Sequence, residues 1–349
     1  MSTFYKLSVK EIHKETENSV SIVFDIPDYL KNAFDFTPGQ YINIKKELNG
    51  EELRRAYSIC SSRKSGEIRI GIKAVEGGTF SVYATSQLKV GDVLEVSPPE
   101  GRFTLQIDPN NKQNYLAFAA GSGITPILSM IKSVLEEEVK SSFVLVYGNK
   151  KPSYTMFKKE IDELSAAFSD RFFVHYVYSQ SNEENTLFGR IDTSISNFII
   201  KNKHKETSFD EVFLCGPELM IQQLKEQLIT NGFTENNVHF ELFTAKEIPM
   251  TNECIEGTSI ITILLDDEET TLSMRRGKTI LETALTNGLD APYSCQGGIC
   301  SSCLAKVTEG KAIMDKNTIL TDKEVEEGLV LTCQAHPVTD TITIDYDNV

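Results

Sequence analysis

The sequence predicts a multidomain chain in which an antiparallel β-barrel is followed by an α/β domain with a parallel sheet and then by a small α+β domain. Three observations carry this reading. Two-residue alternation of apolar side chains fills roughly the first hundred residues, and a strand–helix–strand rhythm replaces it afterwards. Near the C-terminus the stretch "SCQGGICSSC" concentrates three of the seven cysteines in ten residues.

Residues 1–108 form the predicted barrel. In "VSIVFDI" the side chains of Val20, Ile22, Phe24 and Ile26 share one face, and in "EIRIGIKA" those of Ile68, Ile70 and Ile72 do the same, with Gly and Pro punctuating the intervals. Residues 109–245 read as the α/β domain. Its strands are "NYLAFAA", "SFVLVYGN", "RFFVHYVYS", "EVFLCGP" and "VHFELF", and its clearest helix is "MFKKEIDELSAAF", where Phe157, Ile161, Leu164 and Phe168 recur at helical spacing. Residues 246–258, with Pro249 and Gly257 and no period, are expected to be a linker. Residues 259–349 open with a predicted hairpin, "SIITILLDDEETTLSM", then a short helix with a glycine stop, "KTILETALTNG", then the cysteine loop.

The 349 residues suffice for two or three domains with real cores, and the longest aliphatic runs are strand-sized rather than membrane-spanning. The first residues lack the features of a signal peptide, so a cytoplasmic location is expected. A net charge of −15 excludes a general nucleic-acid binder. The last 91 residues hold 15 acidic against 7 basic side chains, which makes the C-terminal end the acidic one. That end could dock a more positive partner or serve solubility alone.

Cys295, Cys300 and Cys303 form C-x4-C-x2-C, and Cys333 follows in "VLTCQAHP". This is the plant-type [2Fe–2S] spacing. Small neighbours such as Gly297, Gly298, Ser301 and Ser302 let backbone N–H groups approach the sulfurs. Structural zinc is the rival, but it prefers two close-spaced cysteine pairs, and only one such pair is present. A [2Fe–2S] cluster moves one electron at a time, so the remaining residues must supply something else.

"YLAFAAGSGITPILSM" runs from a strand through Gly121 and Gly123 into a helix, with Thr125 expected as its N-cap and Pro126 at its first position. Such a turn admits a pyrophosphate at the helix N-terminus, although an ordinary strand-to-helix turn would look the same. Cys215, Gly216 and Pro217 end a later strand, where ligands bind in open α/β sheets. Taken alone, Cys215 is also what a buried structural cysteine looks like. In "ELRRAYSICSS", Arg55, Tyr57 and Ser58 could pair with a phosphate, stack on a ring and contact a ring nitrogen, or be plain strand residues.

The order R-x-Y-S, "GGTFS", "GSGITP", "CGP" resembles the ferredoxin–NADP reductase family, and "APYSCQGGICSSC…VLTCQAHP" resembles plant-type ferredoxins with their β-grasp fold. Reductase first and ferredoxin last, over essentially the whole chain, is similar to the reductase subunits of bacterial phenylacetyl-CoA ring epoxidases. The resemblance implies that residues 1–108 bind FAD. Arg55 would meet its pyrophosphate, Tyr57 would stack on the isoalloxazine, and Ser58 would hydrogen-bond near N5. Gly78, Thr79 and Ser81 would cradle the phosphates, with backbone support from Ile72, Lys73 and Ala74. Phe243 matches an aromatic that covers the flavin in some relatives and could equally be a core strand residue. Gly121, Gly123, Thr125 and Pro126 would bind the nicotinamide nucleotide, while Cys215, Gly216 and Pro217 would flank its ring; Ser58 and Cys215 are the candidate catalytic pair.

Where many relatives carry Arg after "YGN", this chain has Lys150 and Lys151 and no acidic residue, which favours NADPH over NADH. The implied activity passes electrons from NAD(P)H through FAD and a [2Fe–2S] cluster to oxygenase or epoxidase subunits. A reductase for another ring hydroxylase or monooxygenase is the alternative, and a flavin/iron–sulfur redox sensor is an alternative of another class. Histidines 13, 175, 204, 239 and 336 show no ligand spacing in the sequence, so the oxygen-activating site is expected on another polypeptide.

Overall fold

The computed structural model describes residues 3–48, 50–243 and 257–349. Most of the expected linker, 246–256, lies outside the described residues. The described residues resolve into two compact units, one of residues 5–48, 50–53 and 57–243, the other of residues 257–349 with 3–4 and 54–56.

In the first unit, β1 (Tyr5–Thr16), β2 (Ser19–Asp25), β3 (Tyr41–Leu48), β4 (Glu51–Ser58), β5 (Arg69–Lys73) and β6 (Val93–Val96) form a sheet in the order β4-β3-β6-β1-β2-β5. A bridge between Ile59 and Ile70 joins the two outer strands and closes the sheet into a barrel. Val20, Ile22, Phe24, Ile68, Ile70 and Ile72 all reach its core, as their alternation predicts. The barrel also carries α1 (Thr79–Ser86), which the sequence did not announce.

Five strands follow in parallel, β7 (Asn114–Ala120), β8 (Ser142–Asn149), β9 (Phe172–Tyr178), β11 (Glu211–Gly216) and β12 (Val238–Leu242), with the two-residue β10 (Leu187–Phe188) at the edge. Their order, β10-β9-β8-β7-β11-β12, reverses direction between β7 and β11. Helices α2 (Ile124–Glu137), α3 (Lys158–Ala167), α4 (Thr193–Phe198) and α5 (Glu218–Thr230) connect the strands. Phe157, Ile161, Leu164 and Phe168 pack into the core as their spacing requires.

Helix α2 is buried from Ile124 to Leu135 because it is covered twice, by the sheet and by the barrel. Its apolar face joins the sheet core. Toward the barrel, Ser129 Oγ donates to the Ser61 carbonyl (2.7 Å) and Lys132 Nζ to the Cys60 carbonyl (3.1 Å). Arg69 completes the seam by pairing with Glu15 (2.9 Å) and Glu160 (3.0 Å), and Glu160 also pairs with Lys132. These seam charges are all partnered, which offsets the cost of removing them from water.

The second unit is a mixed sheet, β14-β13-β19-β15-β17, of β13 (Thr258–Leu265), β14 (Glu268–Arg275), β15 (Leu304–Glu309), β17 (Leu329–Leu331) and β19 (Thr341–Asp345), beside a pair formed by β16 (Ala312–Met314) and β18 (Ala335–Pro337). Asp266 and Asp267 make the predicted hairpin turn with φ of 57° and 61°, the left-handed pair of a type I′ turn. Helix α6 (Ile280–Thr286) is capped by Thr279, stops before Gly288 and packs its Ile280, Leu281 and Ala284 into the core; a short α7 (Asp322–Glu326) begins with a Thr321/Glu324 capping box. Among the described residues no helix is long and apolar enough to cross a membrane.

Candidate functional site

The turns after β7 and β11 lie side by side where the strand order reverses, the position at which open α/β sheets bind ligands. Gly121–Gly123 form a 3-10 turn that runs straight into α2. Thr125 is therefore not the N-cap, a correction to the sequence reading. It sits inside the first helical turn with its hydroxyl donating to the Ser122 carbonyl (3.0 Å), and Pro126 follows as the third helical residue, where its missing N–H costs no helical bond. A Cβ on Gly123 would meet the Cys215 carbonyl oxygen at 2.2 Å, so only glycine lets the two turns close up. Pro217 then leads into α5.

Cys215 is fully buried, and its side chain belongs to the sheet core. Burial first, and then the Glu241 carboxylate, push its thiol well above the usual range, so at neutral pH it is a neutral wall rather than a nucleophile. Glu241 is paired with Cys215 in the β11–β12 register. Ser58 Oγ, from the barrel, donates to Glu241 Oε2 (3.2 Å). Burial pushes this carboxyl up to about 8, with the Ser58 hydrogen bond pulling the other way. A proton-holding carboxylic acid thus touches one member of the candidate catalytic pair and neighbours the other. The sequence reading missed Glu241.

Ser58 ends β4, three residues beyond Arg55 and next to Tyr57. Arg55 is exposed and donates to the Arg54 carbonyl (2.7 Å). The Tyr57 ring lies 5.7 Å from Phe80 of α1, which brings R-x-Y-S and "GGTFS" together. Gly78 precedes the first turn of α1, whose N–H groups have no side-chain cap. A Cβ there would fall 2.5 Å from Ser81 Oγ, so the backbone and hydroxyls of Gly78, Thr79 and Ser81 form a cradle that a larger residue would fill, as phosphate binding demands. Ile72 is buried in the barrel core and can offer a ligand only its backbone, while Lys73 and Ala74 are partly exposed. Phe243, 36% exposed, stands two residues past Glu241. Lys73 has its ammonium pKa lowered, by burial first and by Lys150 second, and its Nζ lies 3.9 Å from where a Cβ on Gly121 would stand. Two cations converging beside the glycine turn suit an anionic ligand.

In the second unit the fold assembles the thiols. Cys303 immediately precedes β15 and Cys333 follows β17 after one intervening residue, and these strands pair with Leu304 opposite Leu331. Thr332 locks the junction, its N–H (3.1 Å) and hydroxyl (3.0 Å) both donating to the Cys303 carbonyl. Cys295 and Cys300 lie on the preceding loop, where Gln296 (φ 50°) and Gly298 (φ 68°) turn left-handed. A Cβ on Gly298 would strike the Lys316 carbonyl at 2.8 Å. The four thiols act on one another, Cys295 with Cys300 and Cys303 with Cys333 most strongly, and Cys300 with Cys303 and Cys295 with Cys333 besides. Among the described residues no three such ligands converge on one point. Three cysteine thiols spaced C-x4-C-x2-C and a distant fourth, beside small residues and turned N–H groups, are the donor set that a plant-type [2Fe–2S] cluster takes. The Cys300 thiol, followed by burial acting oppositely and the N–H groups of Gly297, Ile299 and Cys300, draws Cys295 toward thiolate.

Three family models match in succession: an oxidoreductase FAD-binding domain over residues 6–105, an oxidoreductase NAD-binding domain over 118–226 and a 2Fe-2S iron-sulfur cluster binding domain over 263–338. One of the polypeptides of 1,2-phenylacetyl-CoA epoxidase from Escherichia coli K12 is 36% identical over 352 residues, 99% of each chain. The ferredoxin reductase component of 3-ketosteroid-9-alpha-monooxygenase from Rhodococcus rhodochrous is 31% identical over 97% of this chain and 96% of its own. Among solved structures, phthalate dioxygenase reductase shares the fold with a TM-score of 0.60 at 23% identity, covering 98% of both chains. The chain belongs to the family of oxygenase reductase components, oxidoreductases in which FAD-binding, NAD-binding and 2Fe-2S cluster-binding modules follow one another.

Proposed function

We propose that this reductase supplies electrons to a phenylacetyl-CoA epoxidase in the cytoplasm, with NADPH as its preferred donor. The observation that carries the partner reading is the 36% identity to the epoxidase polypeptide over 99% of both chains. The 31% match to a ketosteroid monooxygenase reductase favours, as the second reading, another multicomponent oxygenase as acceptor. Mixing the purified chain with catalytic epoxidase subunits, NADPH and phenylacetyl-CoA tests this. Coupled epoxide formation is expected; rapid NADPH oxidation with an artificial acceptor but no epoxide would move the reading to another oxygenase.

Bound FAD supplies the exchange between two-electron and one-electron chemistry that joins a nicotinamide to a [2Fe–2S] cluster. The chain's residues bind and orient. Arg55 and the Gly78–Ser81 cradle, with backbone from Ile72 to Ala74, hold the flavin phosphates. Tyr57 and Phe243 take its ring. Ser58, whose hydroxyl donates to Glu241, would hydrogen-bond near the flavin N5, and Glu241 holds a proton at the Oε atoms below about pH 8. Gly121, Gly123, Thr125 and Pro126 receive the dinucleotide, and Cys215, Gly216 and Pro217 close the floor beneath its ring and exclude water. Lys150 and Lys151, following a β8 that ends in Asn149, support a 2′-phosphate. Cys295, Cys300, Cys303 and Cys333 would hold the cluster. The domain limits in this reading are 1–108, 109–245 and 259–349.

A further inference from the structure

The glycine turn after β7 is gripped by a side chain from the neighbouring strand. Tyr147 is fully buried near the end of β8, opposite Ala119 in the β7–β8 register and so two residues short of Gly121. Its hydroxyl donates to the Gly121 carbonyl (3.0 Å) and has the Met156 carbonyl as a second, longer neighbour (3.4 Å). The Tyr176 ring packs beside it, with centroids 6.3 Å apart. Burial pushes the phenol far above its ordinary pKa, so at neutral pH it is a fixed O–H donor. Gly121 is left-handed (φ 57°), and so is Phe157, the residue after Met156 (φ 56°), a conformation that a bulky side chain holds only under constraint. The barrel supplies part of that constraint. A Cβ on Gly71 of β5 would lie 2.7 Å from Thr125 Cγ2 and 3.0 Å from Phe157 Cζ. Tyr147 from β8, Phe157 before α3 and Gly71 from the barrel thus close around the turn.

Given the assignment of Gly121 and Gly123 to the dinucleotide, on which this rests, we propose that Tyr147 is a positioning residue of that turn. By holding the Gly121 carbonyl inward, it presents the Ser122 N–H outward to the pyrophosphate of NAD(P)H. A trans peptide is planar and carries its C=O and N–H on opposite sides. The unit that joins Gly121 to Ser122 has its oxygen fixed on the buried Tyr147, so its N–H faces the other way. Ser122 stands at the start of the coil that runs into α2, where N–H groups lack a helical acceptor and suit an anion. The next carbonyl, that of Ser122, is taken by the Thr125 hydroxyl (3.0 Å), so both carbonyls are occupied within the fold. Lys73 adds the matching charge, its Nζ 3.9 Å from the Cβ position of Gly121. Without the Tyr147 hydroxyl the buried Gly121 carbonyl loses its donor and the peptide is free to turn, which takes the N–H off its aim.

The test is calorimetric titration of the oxidised, FAD-loaded chain with NADP+ and with NAD+, in wild type and in Tyr147→Phe, which removes one oxygen and keeps the ring. Kd for both nucleotides is expected to rise by the same factor, at least about fivefold, the loss of one well-aimed hydrogen bond to an anion. Adenosine 2′-monophosphate, which lacks the pyrophosphate, should bind wild type and variant alike; its parallel loss would make Tyr147 a packing residue and overturn the proposal. Gly121→Val separates this role from the assignment beneath it. Weakened NADP+ binding in Gly121→Val with unchanged binding in Tyr147→Phe overturns the role of Tyr147 alone, whereas unchanged binding in both takes the nucleotide away from this turn and overturns the two together. If Tyr147→Phe does not fold, the Ser122 amide proton of the wild type carries the test by NMR. A downfield shift on adding NADP+ supports the proposal, and an unmoved signal overturns it.

Discussion

Cys215 and Cys295 are the same residue type with protons held in opposite ways, and their surroundings decide which. Cys215 lies on a regular strand, with core side chains about it and a carboxyl on the next strand, and both features keep its proton on. Cys295 lies on a loop whose left-handed residues turn N–H groups inward, and its pair partner together with those groups draws it toward thiolate. The strand yields a buried thiol that keeps its proton. The loop yields one thiol drawn toward thiolate by a partner, Cys300, that keeps its own proton. The neighbours of each cysteine therefore set its protonation.

The largest expected effect breaks the loop side alone. Cys303→Ser should abolish reduction of a partner oxygenase, a loss of ~100-fold or more, yet preserve NADPH oxidation with ferricyanide. Parallel loss of both activities would refute a serial order of sites. On the strand side, Glu241→Gln should cost on the order of 100-fold in flavin reduction by NADPH, the lower end of what a positioned acid–base group contributes. Stopped-flow kinetics across pH 6–10 would read it, with the wild-type limb near pH 8 missing in the variant.

The same substitution has a stability signature with a definite sign. Glu241 has a folded pKa of about 8, above its ordinary 4.5, so its contribution is complete below 4.5 and is lost as pH rises through 8. Glu241→Gln should therefore gain thermal stability relative to wild type above pH 8 and not at pH 5, which melting curves at the two pH values would show. A smaller effect belongs to the cations: Lys150→Ala should raise the KM for NADPH about tenfold and leave NADH nearly unchanged, while an equal change for both would assign Lys150 to the shared pyrophosphate. Least is expected from salt, a several-fold fall in partner reduction as screening lengths shrink below ~8 Å. A flat response would return the acidic C-terminal unit to a role in solubility.

What the sequence made legible was what repeats locally. Alternation at Ile68, Ile70 and Ile72 and the helical recurrence of Phe157, Ile161, Leu164 and Phe168 translate directly into cores. Helix α1 escaped because "TFSVYATS" mixes β-branched and small polar residues without an apolar stripe. Thr125 was read as a cap because "GSG" looks like a loop, whereas it coils into a 3-10 turn that starts the helix earlier. Glu241 carries no local signal in "HFELF"; its partner Ser58 is 183 positions away, and no local pattern reports burial made by another domain. The Tyr147–Gly121 contact is hidden for the same reason, since neither a strand period nor a helix period relates positions 121 and 147.

The pairing of β15 with β17 has a consequence for how the protein is made. Three thiols leave the ribosome within nine residues, and the fourth emerges 30 residues later. Cys333 reaches Cys303 only when Leu304 and Leu331 have found their register and Thr332 has closed on the Cys303 carbonyl. Completion of the ligand set and pairing of this edge go together, so a chain that misregisters the edge presents an incomplete set of thiols. Cluster loading thereby serves as an inspection of the fold, carried out by coordination chemistry.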